Sequence, residues 1–359
     1  MQAPIKILVV GCGHMGISHA KAYHAMPGFE IVGIVARGEA SRRNLLDAVG
    51  ADYPQFSDYH DALQATQPDA VSINTYPDTH ADYAVAAFAE GCHVFLEKPI
   101  AVTISDAERV VQAARDASRK LVIGYILRVH PTWKRFIEVA QTLGKPLVMR
   151  MNLNQQASGD MWKTHQALMA SMSPIVDCGV HYVDVMCQMT RSQPVRVSAI
   201  GARLTDELVP GMYNYGNLQV TFADGSVGWY EAGWGPMMSE TAYFVKDVVG
   251  PKGAVSITGV KEGEVATDDV NAHSKAAALK LHHAELAADG SFAKPDEIID
   301  CADEPDHDGL CRAEQEFFLD AITHDRDLSA HMDEAVSSLK IVLAADEAFR
   351  TGTTVSLAD

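Results

Sequence analysis

The chain has 359 residues, more than one ordinary hydrophobic core accommodates, so two domains are expected. Hydrophobic residues make up 47% and charged residues 21%, the balance of a soluble globular protein, and no apolar run approaches the roughly 18 residues that would span a bilayer. A formal net charge of −18 argues against a nucleic-acid partner, which needs a basic face. The acidic runs at 262–269 and 296–308 read as solvated surface. The start, Met1-Gln2-Ala3-Pro4, has no basic leader or apolar h-region, so a cytoplasmic location is expected. Cys12, Cys92, Cys178, Cys187, Cys301 and Cys311 form no CxxC pair, which suits reduced thiols.

Taken in chain order, the first element is a β-branched apolar run at 5–10, a strand covered on both faces. Gly11-Cys12-Gly13-His14-Met15-Gly16 follows at once, and a helical pattern begins after it. A GxGxxG in the strand-before, helix-after setting is a dinucleotide-binding loop. Gly11 permits the tight turn, Gly13 lets backbone approach a pyrophosphate, and Gly16 lets the helix pack close to the strand. Free N–H groups at the helix start then meet the phosphates. Further strands are expected at 31–35, 70–73, 94–96 and 121–123. Between them, a helix over 80–90 stops at Gly91, and Thr103 caps a helix whose Ala107, Val110, Val111 and Ala114 share one face. This alternation means a Rossmann-type, doubly wound parallel sheet over residues 1–125.

The second strand ends in Ala36-Arg37, where NAD-binding loops carry an Asp or Glu for the ribose 2′-hydroxyl. A missing carboxylate beside an arginine, with Arg42 and Arg43 close behind, favours NADP over NAD. The alternative is that Arg37 stacks on adenine and the other two are solvated helix residues.

From about residue 147 the pattern becomes antiparallel. Strands are expected at 147–152, 195–203, 217–222 and 226–234, the last two joined by the hairpin turn Ala223-Asp224-Gly225. Residues 261–308 read as an acidic insertion, flap or subunit contact, with a helical piece at 276–286. Two helices close the chain, near 311–323 and 333–349. His273, His282, His283 and His307 have no metal-ligand spacing, so no metal is expected.

Three motifs make the reading specific. They are Asn74-Thr75-Tyr76-Pro77-Asp78-Thr79-His80 at one strand end, Glu97-Lys98-Pro99 at the next, and Asp177-Cys178-Gly179-Val180-His181-Tyr182-Val183-Asp184 downstream. With the glycine loop, they resemble the glucose-fructose oxidoreductase / inositol dehydrogenase / rhizopine-catabolism (Gfo/Idh/MocA) family. The resemblance is strongest over 5–130 and 172–185.

It implies a Rossmann domain at 1–125, followed at 126–359 by an α+β domain with an open, mostly antiparallel sheet for substrate binding and oligomerisation. The implied activity is hydride transfer between NAD(P) and a secondary hydroxyl or ketone of a sugar, sugar acid or inositol-like polyol. The implied cofactor contacts are Gly11, Gly13, His14, Met15, Gly16, Ala36, Arg37, Thr75, Pro77, His80, Glu97 and Lys98. Lys98 and His181 would be the acid/base pair, and Asp177 would hold a substrate hydroxyl. Asp184 would position its neighbours. If 177–184 is helical, these three project from one face. A lysine titrating near 10.4 needs burial or a cationic neighbour before it works as a base, and a histidine near 6.5 suits reversible transfer. The X–Pro bond at Lys98–Pro99 is expected to be cis.

Tyr125 and Arg128 would approach cofactor or substrate. Trp162, Lys163 and His165 would lie on a loop over the site, Trp162 and His165 contacting the sugar ring. A homodimer or homotetramer is expected. The alternatives are a dehydrogenase for a cyclic dihydrodiol, a glycoside-cleaving relative that uses transient oxidation by tightly held NAD, and a non-catalytic dinucleotide sensor. The last predicts loss of the lysine or histidine, and both are present.

Overall fold

The computed structural model describes residues 3–239, 245–258, 278–301 and 304–357. In chain order these form β1 (Ile5–Val10), α1 (His14–Ala25), β2 (Phe29–Val35), α2 (Glu39–Val49), β3 (Gln55–Phe56), α3 (Tyr59–Thr66), β4 (Ala70–Ile73), α4 (His80–Ala89), β5 (His93–Leu96), α5 (Ile104–Asp116) and β6 (Leu121–Ile123). There follow α6 (Pro131–Thr142), β7 (Val148–Gln156), α7 (Gly159–Leu168), α8 (Pro174–Asp177), α9 (Gly179–Thr190), β8 (Pro194–Ala202), β9 (Tyr215–Phe222) and β10 (Val227–Gly235). The chain ends with β11 (Lys246–Gly250), β12 (Gly253–Thr258), β13 (Ala278–His283), β14 (Glu297–Asp300), α10 (His307–Thr323), α11 (Ser329–Thr351) and β15 (Val355–Ser356). Among the described residues, no helix is long and apolar enough to cross a membrane. All six cysteines are free thiols.

Two compact units divide the chain. The first holds residues 1–126 and 305–336, the second 127–304 and 337–359. The expected division gave everything after 125 to the second domain, so the return of 305–336 to the first is a correction. Its cause is the buried face of α10. Phe318 stacks near Phe29 with centroids 6.2 Å apart and lies 6.1 Å from Phe95, in one core with Ile7, Val9 and Tyr23. That pairing spans almost the whole chain and leaves no local sequence signal.

The first unit's sheet is parallel, with order β3-β2-β1-β4-β5-β6, the doubly wound order of dinucleotide-binding folds. The expected strands are all present, and β3, only two residues long, is an addition. Helix α4 ends where expected, with Gly91 in the left-handed region at φ 76°. Thr103 caps α5 by accepting from the Asp106 amide at 3.1 Å, and the four expected apolar residues are buried.

In the second unit, nine strands form one sheet in the order β14-β13-β12-β11-β7-β10-β9-β8-β15. Its neighbours pair antiparallel except β10 with β7. The β9–β10 hairpin turns at Gly225, φ 85°, as its Asp-Gly sequence predicts. The helical piece expected at 276–286 is instead β13, paired residue for residue with β12 from Gly253↔His283 to Thr258↔Ala278. Its alanines favour helix, but Leu279 on the core side and Lys280 on the open side follow the strand period, and pairing with β12 overrides propensity. Two short stretches of the expected acidic insertion thus become sheet strands, and residues 259–277 lie outside the described set together with His273. His282 and His283 pair with Asp296 at 2.8 Å and Glu297 at 2.7 Å.

Candidate functional site

In the first unit, the three glycines of the loop have three separate reasons to be glycine. Gly11 sits at φ 95°, and a Cβ there would lie 2.4 Å from the Asn74 carbonyl oxygen. A Cβ on Gly16 would lie 1.8 Å from the Gly11 carbonyl oxygen, so α1 could not pack where it does. Gly13 differs, because nothing lies within 4 Å of its would-be Cβ. No atom of the described residues demands glycine at that position, which suits a ligand that must come close to the backbone. Gly13 is also the N-cap of α1 and offers no side-chain cap, unlike Asp58 on α3, Thr103 on α5 and Asp306 on α10. The first N–H groups of α1 therefore remain available to an anion. Loop and helix together fit a pyrophosphate.

Around this loop the sequence motifs separate into surface and support. Cys12 is buried, its thiol pushed up to about 11 by burial, and it donates to the Val35 carbonyl, so it is structural. Asn74 donates to the Val10 carbonyl at 3.3 Å and ties the end of β4 to that of β1. Thr75 shares a 2.6 Å hydrogen bond with Thr79, and Pro77 is buried in the single turn before α4. His80, expected at the cofactor, is completely buried instead. Its ring nitrogens lie 2.8 Å from the Pro99 carbonyl and 3.0 Å from the Thr75 carbonyl, and the nitrogen that carries the proton in the neutral ring donates to one of them. Burial holds the ring below its ordinary range, against the pull of those carbonyls.

Glu97 and Lys98 stand at the carboxyl end of β5, and the Lys98–Pro99 bond is cis. Lys98 is half-buried, whereas Glu97 is buried and takes a 2.7 Å hydrogen bond from His19 of α1. The Ala36-Arg37 corner is also sorted. Arg42 donates to the carbonyls of Ala36 and Arg37, and Arg43 pairs with Glu39. Arg37 is exposed, without an ion pair or hydrogen bond from its side chain among the described residues. Tyr125, expected near cofactor or substrate, is buried.

In the second unit, α8 and α9 meet at Cys178, which keeps right-handed helical dihedrals, so the 177–184 motif is nearly continuous helix. Asp177 is buried and accepts a weak 3.5 Å contact from the Cys178 thiol, while His181 is half-buried. Arg128 is not a free substrate ligand. It forms a forked pair with Asp184, Nε to Oδ2 at 2.8 Å and Nη2 to Oδ1 at 2.5 Å. Gln188 and Ser338 complete the Asp184 carboxylate at 2.9 and 3.1 Å, so Asp184 anchors α9.

Trp162, Lys163 and His165 lie on α7 rather than a loop, because 159–168 buries Trp162 and His165 on one side while Lys163 stays exposed. Trp162 donates to Glu207 at 2.7 Å. His165 stacks on Trp234, centroids 4.4 Å apart at 16°, and burial lowers its pKa to about 4, with the nearby Asp177 charge opposing. Lys246 was not anticipated. It is buried, donates to the Asn152 carbonyl, lies 4.9 Å over the Tyr182 ring, and is pulled down to about 7 by burial.

Residues 5–125 match the oxidoreductase family with an NAD-binding Rossmann fold, Gfo/Idh/MocA, and residues 112–256 match the C-terminal domain of the same family. The chain belongs to the Gfo/Idh/MocA family. Among relatives, the inositol 2-dehydrogenase of Salmonella typhimurium is 27% identical over 186 residues, 51% of this chain and 53% of that protein. The chain thus spans about half the length of the curated relatives it matches first. The myo-inositol 2-dehydrogenase of Thermotoga maritima is 24% identical over 74% of this chain and 78% of its own. Among solved structures, scyllo-inositol dehydrogenase from Lactobacillus casei with bound NAD(H) and scyllo-inositol shares the fold. It gives a TM-score of 0.77 at 20% identity, over 99% of this chain and 100% of that one. As a Gfo/Idh/MocA member the chain has an NAD-binding Rossmann domain.

Proposed function

We propose that this protein is a dehydrogenase that moves a hydride between a nicotinamide dinucleotide and a secondary hydroxyl of an inositol-like polyol or sugar. The observation that carries this reading is the placement of Lys98. It stands half-exposed at the carboxyl end of a parallel strand, on the sheet edge that also carries the Gly11–Gly16 loop. When bound, the nicotinamide supplies the hydride acceptor. The protein handles the proton and the orientation. Lys98 and His181 hold and move the hydroxyl proton, and Asp177 accepts a hydrogen bond from a substrate hydroxyl. His165, buried and neutral against Trp234, leaves its Nδ1 without a partner among the described residues, a group fit to meet a substrate hydroxyl.

The absence of a carboxylate at Ala36-Arg37, with the Arg37 side chain unengaged among the described residues, favours NADP over NAD. The open sheet face of the second unit carries Val148, with Val227 and Val249 in register on either side, each well exposed. A second copy of the chain covering this row makes the protein a homo-oligomer. A panel of inositols, sugars and sugar acids, each with NAD and NADP, tests the function by nicotinamide reduction. Turnover of at least one polyol, faster with NADP, is expected. No turnover of any secondary alcohol would overturn the reading.

A further inference from the structure

The Glu97-Lys98 segment rests on a buried chain of hydrogen bonds that none of the sequence motifs announces. Glu97 Oε2 accepts from the Lys98 backbone N–H at 3.2 Å, and Oε1 lies 2.7 Å from His19 Nε2. His19 Nδ1 lies 2.9 Å from Gln315 Nε2, and Gln315 Oε1 lies 2.6 Å from the Tyr23 hydroxyl. His19, Tyr23 and Gln315 have no exposed surface, and Glu97 has 6%.

Donor and acceptor accounting gives this chain one direction. A Glu97 carboxylate already accepting a backbone N–H can only accept again, so His19 Nε2 carries the proton. A neutral His19 then has a bare Nδ1, which the Gln315 amide supplies with a donor. The amide oxygen in turn takes the Tyr23 O–H. All the bonds point toward Glu97, the arrangement that stabilises an ionised carboxylate. Other titratable groups face the cluster: His80 from α4, and His307, Cys311 and Glu314 from α10. Glu314 is driven far above the ordinary carboxyl range, first by burial and then by the Glu97 charge. The ligand atoms of His19, Cys311 and Glu314 lie within 4.8 Å of one another, a spacing open to a metal. Both nitrogens of His19 are already matched by protein partners, however, so the cluster reads as a polar relay.

We propose that Tyr23, Gln315 and His19 are positioning residues that hold Glu97 ionised against the Lys98 amide and thereby set the titration of Lys98. The proposal rests on the catalytic role given to Lys98 above, but its effect on Lys98 is measurable without turnover. Gln315 touches neither Lys98 nor Glu97, which makes it the place to cut.

The test titrates Lys98 by NMR of isotope-labelled lysine in the full-length protein, with the signal assigned through Lys98→Arg. Gln315→Leu removes the donor to His19, weakens the hold on the Glu97 charge, and is expected to lower the Lys98 pKa by roughly half to one unit. Tyr23→Phe, which cuts one bond further out, should shift it in the same direction by less. Where a polyol is turned over, the alkaline-to-neutral limb of the kcat profile should move with the titration while cofactor Kd stays within about twofold. If Lys98 titrates identically in folded Gln315→Leu and Tyr23→Phe proteins, and only their melting points fall, the relay is structural and the proposal is wrong. A shifted titration in a protein without dehydrogenase activity would uphold the relay and defeat the proposed function instead.

Discussion

The polar interiors of the two units are built differently. Around Glu97 in the first, four consecutive side chains exchange hydrogen bonds from Tyr23 to the carboxylate. Around Asp177 in the second, His165 and Trp234 stack against each other, yet His165 Nδ1 and Trp234 Nε1 have no partner among the described residues. Buried polar atoms ordinarily find partners, and an orphan needs an explanation. In the first unit, the row from Tyr23 to Glu97 is finished by the protein itself and holds a backbone segment, although Glu314 beside it leaves both carboxyl oxygens without a partner among the described residues. The second leaves polar edges on an apolar stack, which suits a surface that must accept hydroxyls from a substrate. Support and recognition are thus distributed between two kinds of polar site.

The largest test of this contrast lies where the second unit does complete its own pairing. Arg128→Ala would strand the buried Asp184 carboxylate and should cost about 3–5 kcal/mol in denaturant unfolding, far more than an exposed pair such as Arg135–Glu138. His165 tests the incomplete site through pH. Its folded pKa of about 4 lies below the ordinary 6.5, so its stability contribution is whole above pH 6.5 and is lost as pH falls toward 4. His165→Phe should therefore flatten the acid side of the stability curve by up to about 3 kcal/mol, leaving the part that His93 contributes in the same window. An unchanged slope would mean that His165 is protonated or solvated in the fold. Tyr23→Phe, which leaves the Gln315 carbonyl without its donor, should cost about 1–3 kcal/mol. Arg37→Ala is the smallest expected effect, lowering the preference for NADP over NAD by about tenfold, or 1.4 kcal/mol.

What the sequence made legible was local. The glycine loop, the Thr103 cap, the Gly91 stop and the Asp224-Gly225 hairpin each occupy a few consecutive residues whose conformational needs can be read directly. What it hid was long-range. Gln315 meets His19 across 296 positions, and Arg128 meets Asp184 across 56, with no spacing to announce either. His80 shows the limit within a motif, since the motif places it beside the cofactor loop but does not announce its full burial between the Pro99 and Thr75 carbonyls. Over 276–286 the alanines at 276–278 and 284 speak for helix, and only pairing with a partner strand makes 278–283 a strand.

The central claim is that Lys98 performs proton chemistry beside a bound nicotinamide dinucleotide. It is tested most directly by comparing wild type and Lys98→Ala on the best polyol, with cofactor affinity measured in parallel. The account predicts turnover reduced by about 10²–10⁴-fold with cofactor Kd nearly unchanged. Equal turnover in the two proteins would contradict it.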